Sequence, residues 1–213
     1  MNTDKLRREY QSHVELIEES VAKDPFEQFE KWFNDATEAE IDLPDAMTLA
    51  TATPNGIPSA RMVVLRGFDR NGFCFYTDYD SQKGKELAEN PQASLVFYWR
   101  ELDRQVRCNG TVEKMTPAES DAYFASRPND SKLAVWTERQ SIVISGREHL
   151  EDNFEKAKLA YGDKDIPRPP HWGGYRLRPN MFEFWQGCPS RLHDRIRYTL
   201  NDNSEWEMSR FSP

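Results

Sequence analysis

Apolar and polar positions along this chain change period several times. Over residues 4–22 the sequence is charged with loose helical spacing, which predicts an arm that docks on the rest or stays mobile. A second helix follows: Asp24 can cap it, Pro25 suits its first position, and Phe26, Phe29, Trp32, Phe33 and Ala36 share one face that belongs in a core. From residue 46 the period becomes that of strands, predicted over 46–53, 59–68 and 72–77. They are joined by the turns Pro54-Asn55-Gly56 and Asp69-Arg70-Asn71-Gly72, and such short connections make neighbours antiparallel. A short helix over 81–90 and strands over 93–99 and 104–115 come next. Thr116-Pro117-Ala118-Glu119 and Ser145-Gly146-Arg147-Glu148 read as capping boxes for helices reaching about residues 126 and 161. After a Pro-rich loop at 166–170 the pattern predicts closing strands over 173–177, 181–186 and 194–200, with 205–210 as a fourth. Strands in runs with helices inserted between them predict an α+β protein whose antiparallel sheet closes into a barrel with peripheral helices. Residues 1–23 form an N-terminal arm or lid, and 24–213 a single domain.

Composition narrows the class. The 213 residues carry 28 Lys+Arg against 36 Asp+Glu, a formal net charge of −8, so a nucleic-acid partner would need a strong local basic patch, and none dominates. Only 38% of residues are hydrophobic, yet 12 Phe, 8 Tyr and 6 Trp carry much apolar area each, which predicts a core built on rings. The longest apolar stretches fall far short of the ~20 residues that span a bilayer, and the start has no signal-peptide run, so a cytoplasmic protein without a membrane partner is expected. Three widely spaced cysteines and four histidines offer neither a disulfide framework nor metal-ligand spacing, and no metal is expected. With no GxGxxG or GxxxxGK[ST], any phosphate-bearing cofactor must be held by side chains.

The chemistry concentrates in Phe182-Glu183-Phe184-Trp185-Gln186-Gly187-Cys188-Pro189-Ser190-Arg191-Leu192-His193-Asp194-Arg195. If 191–195 is extended, Arg191, His193 and Arg195 point one way, and three such groups repel unless an anion or an electron-rich ring lies against them. This run resembles the signature of the pyridoxine/pyridoxamine 5′-phosphate oxidases. The likeness extends through Leu6-Arg7-Arg8-Glu9-Tyr10, Arg61-Met62-Val63-Val64-Leu65, Phe75-Tyr76-Thr77, Arg104-Gln105-Val106, Ser126-Arg127-Pro128, Gln140-Ser141 and Trp172-Gly173-Gly174, in the family's order.

The resemblance implies an FMN-binding split β-barrel homodimer with the flavin at the subunit interface. It implies oxidation of pyridoxine or pyridoxamine 5′-phosphate to pyridoxal 5′-phosphate, with O2 reoxidising the flavin to give H2O2. A redox cofactor is chemically required, since no ordinary side chain accepts a hydride. Carried over residue by residue, the resemblance assigns FMN contacts to Arg61, Met62, Val63, Val64, Leu65, Arg66, Tyr76, Thr77, Gln82, Lys83, Gln105, Gln140, Ser141, Trp185 and Arg195. It assigns the substrate phosphate to Tyr123, Arg127 and Ser131, with Arg66 also in reach. Arg191, Leu192 and His193 lie over the pyridine ring, with Arg191 and His193 as the catalytic pair, and Arg7, Arg8, Glu9 and Tyr10 form a lid. Tyr123, Arg127 and Ser131 are expected on a helix end and the loop beyond it. The alternative reading is a split-barrel protein that holds flavin without catalysis.

Departures from the pattern carry expectations of their own. Arg66 stands where the family usually has Lys, and strict pleating puts it opposite Arg61, so the strand must bulge or end near Gly67 if both reach one site. Gln82 stands where an Arg usually precedes the lysine, which removes a positive charge near the flavin phosphate. Glu138 stands where Ser is common.

Overall fold

The computed structural model describes residues 9, 10, 14–162 and 164–213. Five helices surround one nine-stranded antiparallel sheet: α1 (Pro25–Glu38), β1 (Ala46–Ala52), β2 (Pro58–Val64), β3 (Phe68–Asp69), β4 (Gly72–Asp78), α2 (Gln82–Glu89), β5 (Gln92–Trp99), β6 (Arg104–Lys114), α3 (Pro117–Ser126), α4 (Asn129–Thr137), α5 (Arg147–Tyr161), β7 (Trp172–Gln186), β8 (Asp194–Leu200) and β9 (Trp206–Arg210). Strand order is β2-β1-β5-β6-β7-β4-β3. The segment after β2 bonds to β4 through Arg66 N to Cys74 O and Cys74 N to Gly67 O, both 2.8 Å, which curls the ends of the sheet together. β7 has a divided edge: residues 172–177 pair with β4 and residues 181–186 with β8, so the barrel splits there.

Two predicted strands are one. Pro179 cannot donate to a ladder and reads as a break, but the register of β7 against β6 shifts between Asn109 and Gly110, and this bulge carries the strand past it. A Cβ on Gly110 would run into the Arg178 carbonyl, so only glycine fits opposite the bulge.

α1 lies across the barrel interior as its pattern predicts. Asp24 caps it by accepting from Phe26 N at 2.8 Å, and Phe29 is fully buried with its ring 4.8–5.0 Å from those of Phe73, Phe68 and Phe97. Burying each such ring contributes about 1.5–3 kcal/mol. The core is indeed ring-built: Phe75, Trp99, Phe182, Phe184 and Tyr198 complete it. On the other face of the sheet the register aligns Met62, Thr48, Val96, Arg107, Glu183 and Arg197 in one row across six strands. Tyr98, Gln105, Trp185 and Arg195 form the next row.

Four expectations are corrected. The described part of the arm, 14–22, is not helical; Leu16 is buried, its N–H donates to Asp194, and Arg210 holds both the Leu16 carbonyl and Glu18. Tertiary hydrogen bonds replace the helix its spacing suggested. Ser145 caps nothing, because α5 starts from Gly146 with no side-chain cap bond. The residues beyond Arg127 are not a loop but α4, so Ser131 is helical. Finally, Arg191 and His193 are not on a strand. Pro189–Arg191 is a 3-10 turn in which Ser190 and Arg191 take φ of 56° and 62°, and β8 begins only at Asp194, which removes the pleat that would have aligned them with Arg195.

Among the described residues no helix is long and apolar enough to cross a membrane.

Candidate active site

A cleft of about 670 Å³ opens where β2, β4, α2, α3 and α4 converge. Arg61, Met62, Val63 and Val64 enter it from β2, whose last residue is Val64. Because the strand stops there, Arg66 turns to the same cleft, as the pleating argument required. Leu65 between them is only 5% exposed, packs in the core and is not part of the cleft lining. β4 contributes Tyr76, Thr77 and Asp78; α2 contributes Lys83; α3 contributes Tyr123, and its C-cap is Arg127. Ser131, Gln140 and Trp172 complete the set.

Four cations line the cleft in a protein of net charge −8, and two of them lack a carboxylate within ion-pair distance among the described residues. Lys83 Nζ donates to Thr77 Oγ1 and Gln140 Oε1, each at 3.2 Å, and burial first, then the nearby Arg61, pushes its pKa down. Arg127 lies with its guanidinium 4.7 Å over the Trp172 ring, and its buried Nη1 has no hydrogen-bond partner. Burial, together with the charge of Arg66, lowers its pKa as well. A desolvated guanidinium with an unused donor is stabilised by an anion. Arg61 is different: it is tied to Glu86 at 3.2 Å and to Ser59 Oγ at 2.6 Å. Burial alone would raise the Glu86 pKa, but hydrogen bonds from Ser59, Thr51, Gln82 and Arg61 outweigh it and hold the carboxyl at about 2.

The walls are aromatic. Tyr76 stacks on Tyr123 with ring centroids 3.7 Å apart and on Trp172 at 5.5 Å, and burial pushes its phenol up to about 12, so it stays neutral. Gln82 does not face the cleft; it is exposed and donates to Glu86 at 2.9 Å. Ser141 follows Gln140 with φ of 64° and is exposed outside the lining. Asp78, Trp172 and Glu138 line the cleft without having been assigned to it. No periodicity marks them, since each owes its place to where a strand or helix ends.

The remaining assigned residues gather elsewhere. Gln105, Trp185 and Arg195 are adjacent in register on β6, β7 and β8, and the ring of Trp185 lies 4.8 Å from His193 and 5.4 Å from Tyr10. Gly187 makes room for Tyr10, whose ring a Cβ would meet at 2.7 Å. Cys188 N–H donates to His193 Nδ1 at 3.1 Å, which leaves the ring proton on Nε2. Burial, then the charge of Arg191, lowers the His193 pKa and favours that neutral form. Arg191 and Leu192 are exposed on the turn, as is Glu9 on the arm; Arg195 is held by Glu183 at 3.0 Å. Arg7 and Arg8 lie outside the described residues.

The fold is thus a curled antiparallel barrel, split along β7, with a cleft beside it that is lined by four cations and walled by aromatic rings. Residues 33–161 match the family described as pyridoxamine 5′-phosphate oxidase, and residues 172–213 match the pyridoxine 5′-phosphate oxidase C-terminal dimerisation region. A pyridoxine/pyridoxamine 5′-phosphate oxidase of Trichormus variabilis is 53% identical over 208 residues, 98% of this chain and 97% of that protein. One of Bordetella pertussis is 51% identical over 213 residues, the whole of both chains. The chain belongs to the pyridoxamine 5′-phosphate oxidase family. The crystal structure of PhzG from Burkholderia lata 383, in complex with tetrahydrophenazine-1-carboxylic acid, superposes with a TM-score of 0.89 at 32% identity, covering 96% of this chain and 100% of that one. The fold is shared also by a pyridoxamine 5′-phosphate oxidase-related FMN-binding protein of Nostoc punctiforme, with a TM-score of 0.73 at 21% identity, covering 91% of this chain and 100% of that one.

Proposed function

We propose that this protein is an FMN-dependent oxidase that converts pyridoxine 5′-phosphate or pyridoxamine 5′-phosphate to pyridoxal 5′-phosphate, with O2 as acceptor. The alcohol and O2 give the aldehyde and H2O2; the amine, O2 and water give the aldehyde, ammonia and H2O2. The observation that carries the reading is that the cleft has two cationic corners, Arg61 with Lys83 and Arg66 with Arg127, where a protein that merely stores a flavin needs one.

The donor set fits FMN. Lys83 and Arg61 suit its phosphate, and Thr77, Gln140 and the Tyr76 ring offer hydrogen bonds and a flat wall. When bound, FMN supplies the hydride acceptor that the protein lacks. In this reading the free Nη1 of Arg127, with Tyr123, Ser131 and Arg66, takes the vitamer phosphate and anchors the ring. Arg191 and His193 cover the other side of that ring. With Nδ1 committed to Cys188, His193 presents an Nε2–H, so it orients the substrate oxygen or nitrogen by donating to it.

These two groups do not meet within one chain along the shortest connecting element. Trp172 and Trp185 stand at opposite ends of the 15-residue β7, roughly 40 Å of extended strand. A homodimer in which one protomer's Arg191–His193 turn covers its partner's cleft joins them, and the match of residues 172–213 to a dimerisation region supports it. Leu65 and Gln82 act from behind, as core and as partner of Glu86.

The test is spectroscopic. The purified protein is expected to be yellow, and anaerobic pyridoxine 5′-phosphate should bleach the flavin band, with H2O2 appearing when air is admitted. Flavin that stays oxidised supports the non-catalytic alternative and overturns the oxidase.

A further inference from the structure

We infer that Asp78 and Arg139 form a clamp that positions the flavin-binding corner, with Asp78 as a positioning residue that touches no ligand. The inference rests on the reading that this corner holds FMN.

Asp78 ends β4 and is 2% exposed, and its carboxylate is bound by one guanidinium and two backbone N–H groups. Arg139 Nε reaches Oδ2 at 2.9 Å and Nη2 reaches Oδ1 at 3.2 Å, a bidentate pair. The Gln140 N–H donates to Oδ2 at 3.3 Å and the Asp80 N–H to Oδ1 at 2.7 Å. Arg139 also pairs with Asp80. Of the other titratable groups near the carboxylate, Lys83 feels its charge and His171 stands with Nε2 4.0 Å away, buried and without a hydrogen bond. Burial first, then Arg139, lowers the His171 pKa, so the neutral ring leaves Arg139 as the counter-charge.

The segment the clamp holds lies outside regular structure, with Glu138 against His149 as a further tie. Between the end of α4 at Thr137 and the start of α5 at Arg147 no regular structure fixes the chain. Gln140 stands in that gap, and its Oε1 accepts from both Lys83 Nζ and Thr77 Oγ1. The pair therefore sets Gln140 against the end of β4, and Gln140 sets the direction of the ammonium offered to the phosphate. Asp78→Asn removes the charge and turns an amide donor toward donors that now meet a carboxylate oxygen, which frees the segment. The Tyr123–Arg127 corner is carried by α3; it meets the clamp through backbone, where Asp78 pairs with the Trp172 under Arg127, and no side-chain hydrogen bond joins the two among the described residues.

The experiment is FMN titration of the apoprotein, followed by quenching of flavin fluorescence, in wild type, Asp78→Asn, Arg139→Gln and Arg139→Lys. Asp78→Asn and Arg139→Gln are each expected to weaken FMN by about tenfold or more, as for loss of one charge-assisted hydrogen bond. Arg139→Lys should recover part of the loss, and KM for pyridoxine 5′-phosphate at saturating FMN should stay within about twofold of wild type for the Arg139 variants, because the Arg139 side chain makes no hydrogen bond to that corner among the described residues. Unchanged FMN affinity in the variants overturns the clamp, as does a parallel rise in KM, which would report general damage to the cleft. Should Asp78→Asn fail to fold, Arg139→Gln decides, since Arg139 is 35% exposed. Wild type that takes up no FMN overturns the flavin reading itself, and the clamp with it.

Discussion

Arg127 is the residue whose environment says most about its ligand. A guanidinium laid on an indole with one buried nitrogen unbonded is stabilised by an anion. Arg127→Ala is expected to raise KM for pyridoxine 5′-phosphate by about 10–100-fold, the equivalent of ~1.5–3 kcal/mol, while FMN affinity changes little. Steady-state kinetics beside flavin titration check the split. Arg191 has the opposite profile: Arg191→Ala should cut turnover far more than flavin content. Its charge also depresses the His193 pKa, so Arg191→Gln should let His193 protonate at higher pH. The acid limb of the kcat/KM profile then moves toward neutrality; an unmoved limb would show that His193 does not govern it. Gln82 is a neutral partner for Glu86, which leaves Arg61 as the main counter-charge of that carboxylate. Gln82→Arg would share that task, and isothermal titration should show FMN binding several-fold tighter.

At the level of elements, α2 is pressed so closely on the end of β4 that a Cβ on Gly84 would overlap the Tyr79 carbonyl. A glycine costs a helix stability, and here close approach is its reason. Gly84→Ala should push α2, and Lys83 with it, off β4, lowering stability by about 1–3 kcal/mol in chemical denaturation and releasing flavin. The arm offers a second case. Arg210 first, through its hydrogen bond, holds the Glu18 carboxyl at about 2, so this contact stabilises the docked arm above the ordinary carboxylate pKa and is lost as pH falls through about 2. Arg210→Gln should remove it at neutral pH and expose the Leu16 amide to hydrogen exchange. Docking of this arm was one of the two readings its sequence offered, but its partners were not legible, and charge with loose periodicity suggested a helix that the described part does not form. The elements with strong local signals were legible: the Asp24-Pro25 start and apolar face of α1, the Thr116 capping box, and the strands bounded by Asn-Gly turns. α4 was not, because Ser126-Arg127-Pro128 reads as a stop and a buried Lys132 blurs its apolar face. Of the residues assigned by resemblance, the cleft gathers Arg61 to Val64, Arg66, Tyr76, Thr77, Lys83, Tyr123, Arg127, Ser131 and Gln140, while Leu65, Gln82 and Ser141 lie outside its lining. The division of the assigned residues into two distant groups was not legible, since that follows from the length of β7.

The whole molecule presents a sheet face that the core does not use. Val96 sits near the middle of the row from Met62 to Arg197, and Glu183 in that row, 3% exposed, is fenced by Arg107, Arg195 and Arg197. Burial would raise its pKa, but hydrogen bonds from Arg197 and Arg195 lower it, so it stays charged and keeps the three guanidiniums ordered. A second copy packed on this face would bury Val96 against protein, and Val96→Asp should then give monomers by light scattering, together with loss of flavin. The long β7 has a genetic consequence. If its two ends serve two different catalytic centres of one pair, then Arg127→Ala and Arg191→Ala spoil different halves of each centre. Co-refolding the two impaired proteins should yield mixed pairs in which one centre carries both lesions and the other carries none, so at low pyridoxine 5′-phosphate, where each parent is slow, activity reappears by complementation.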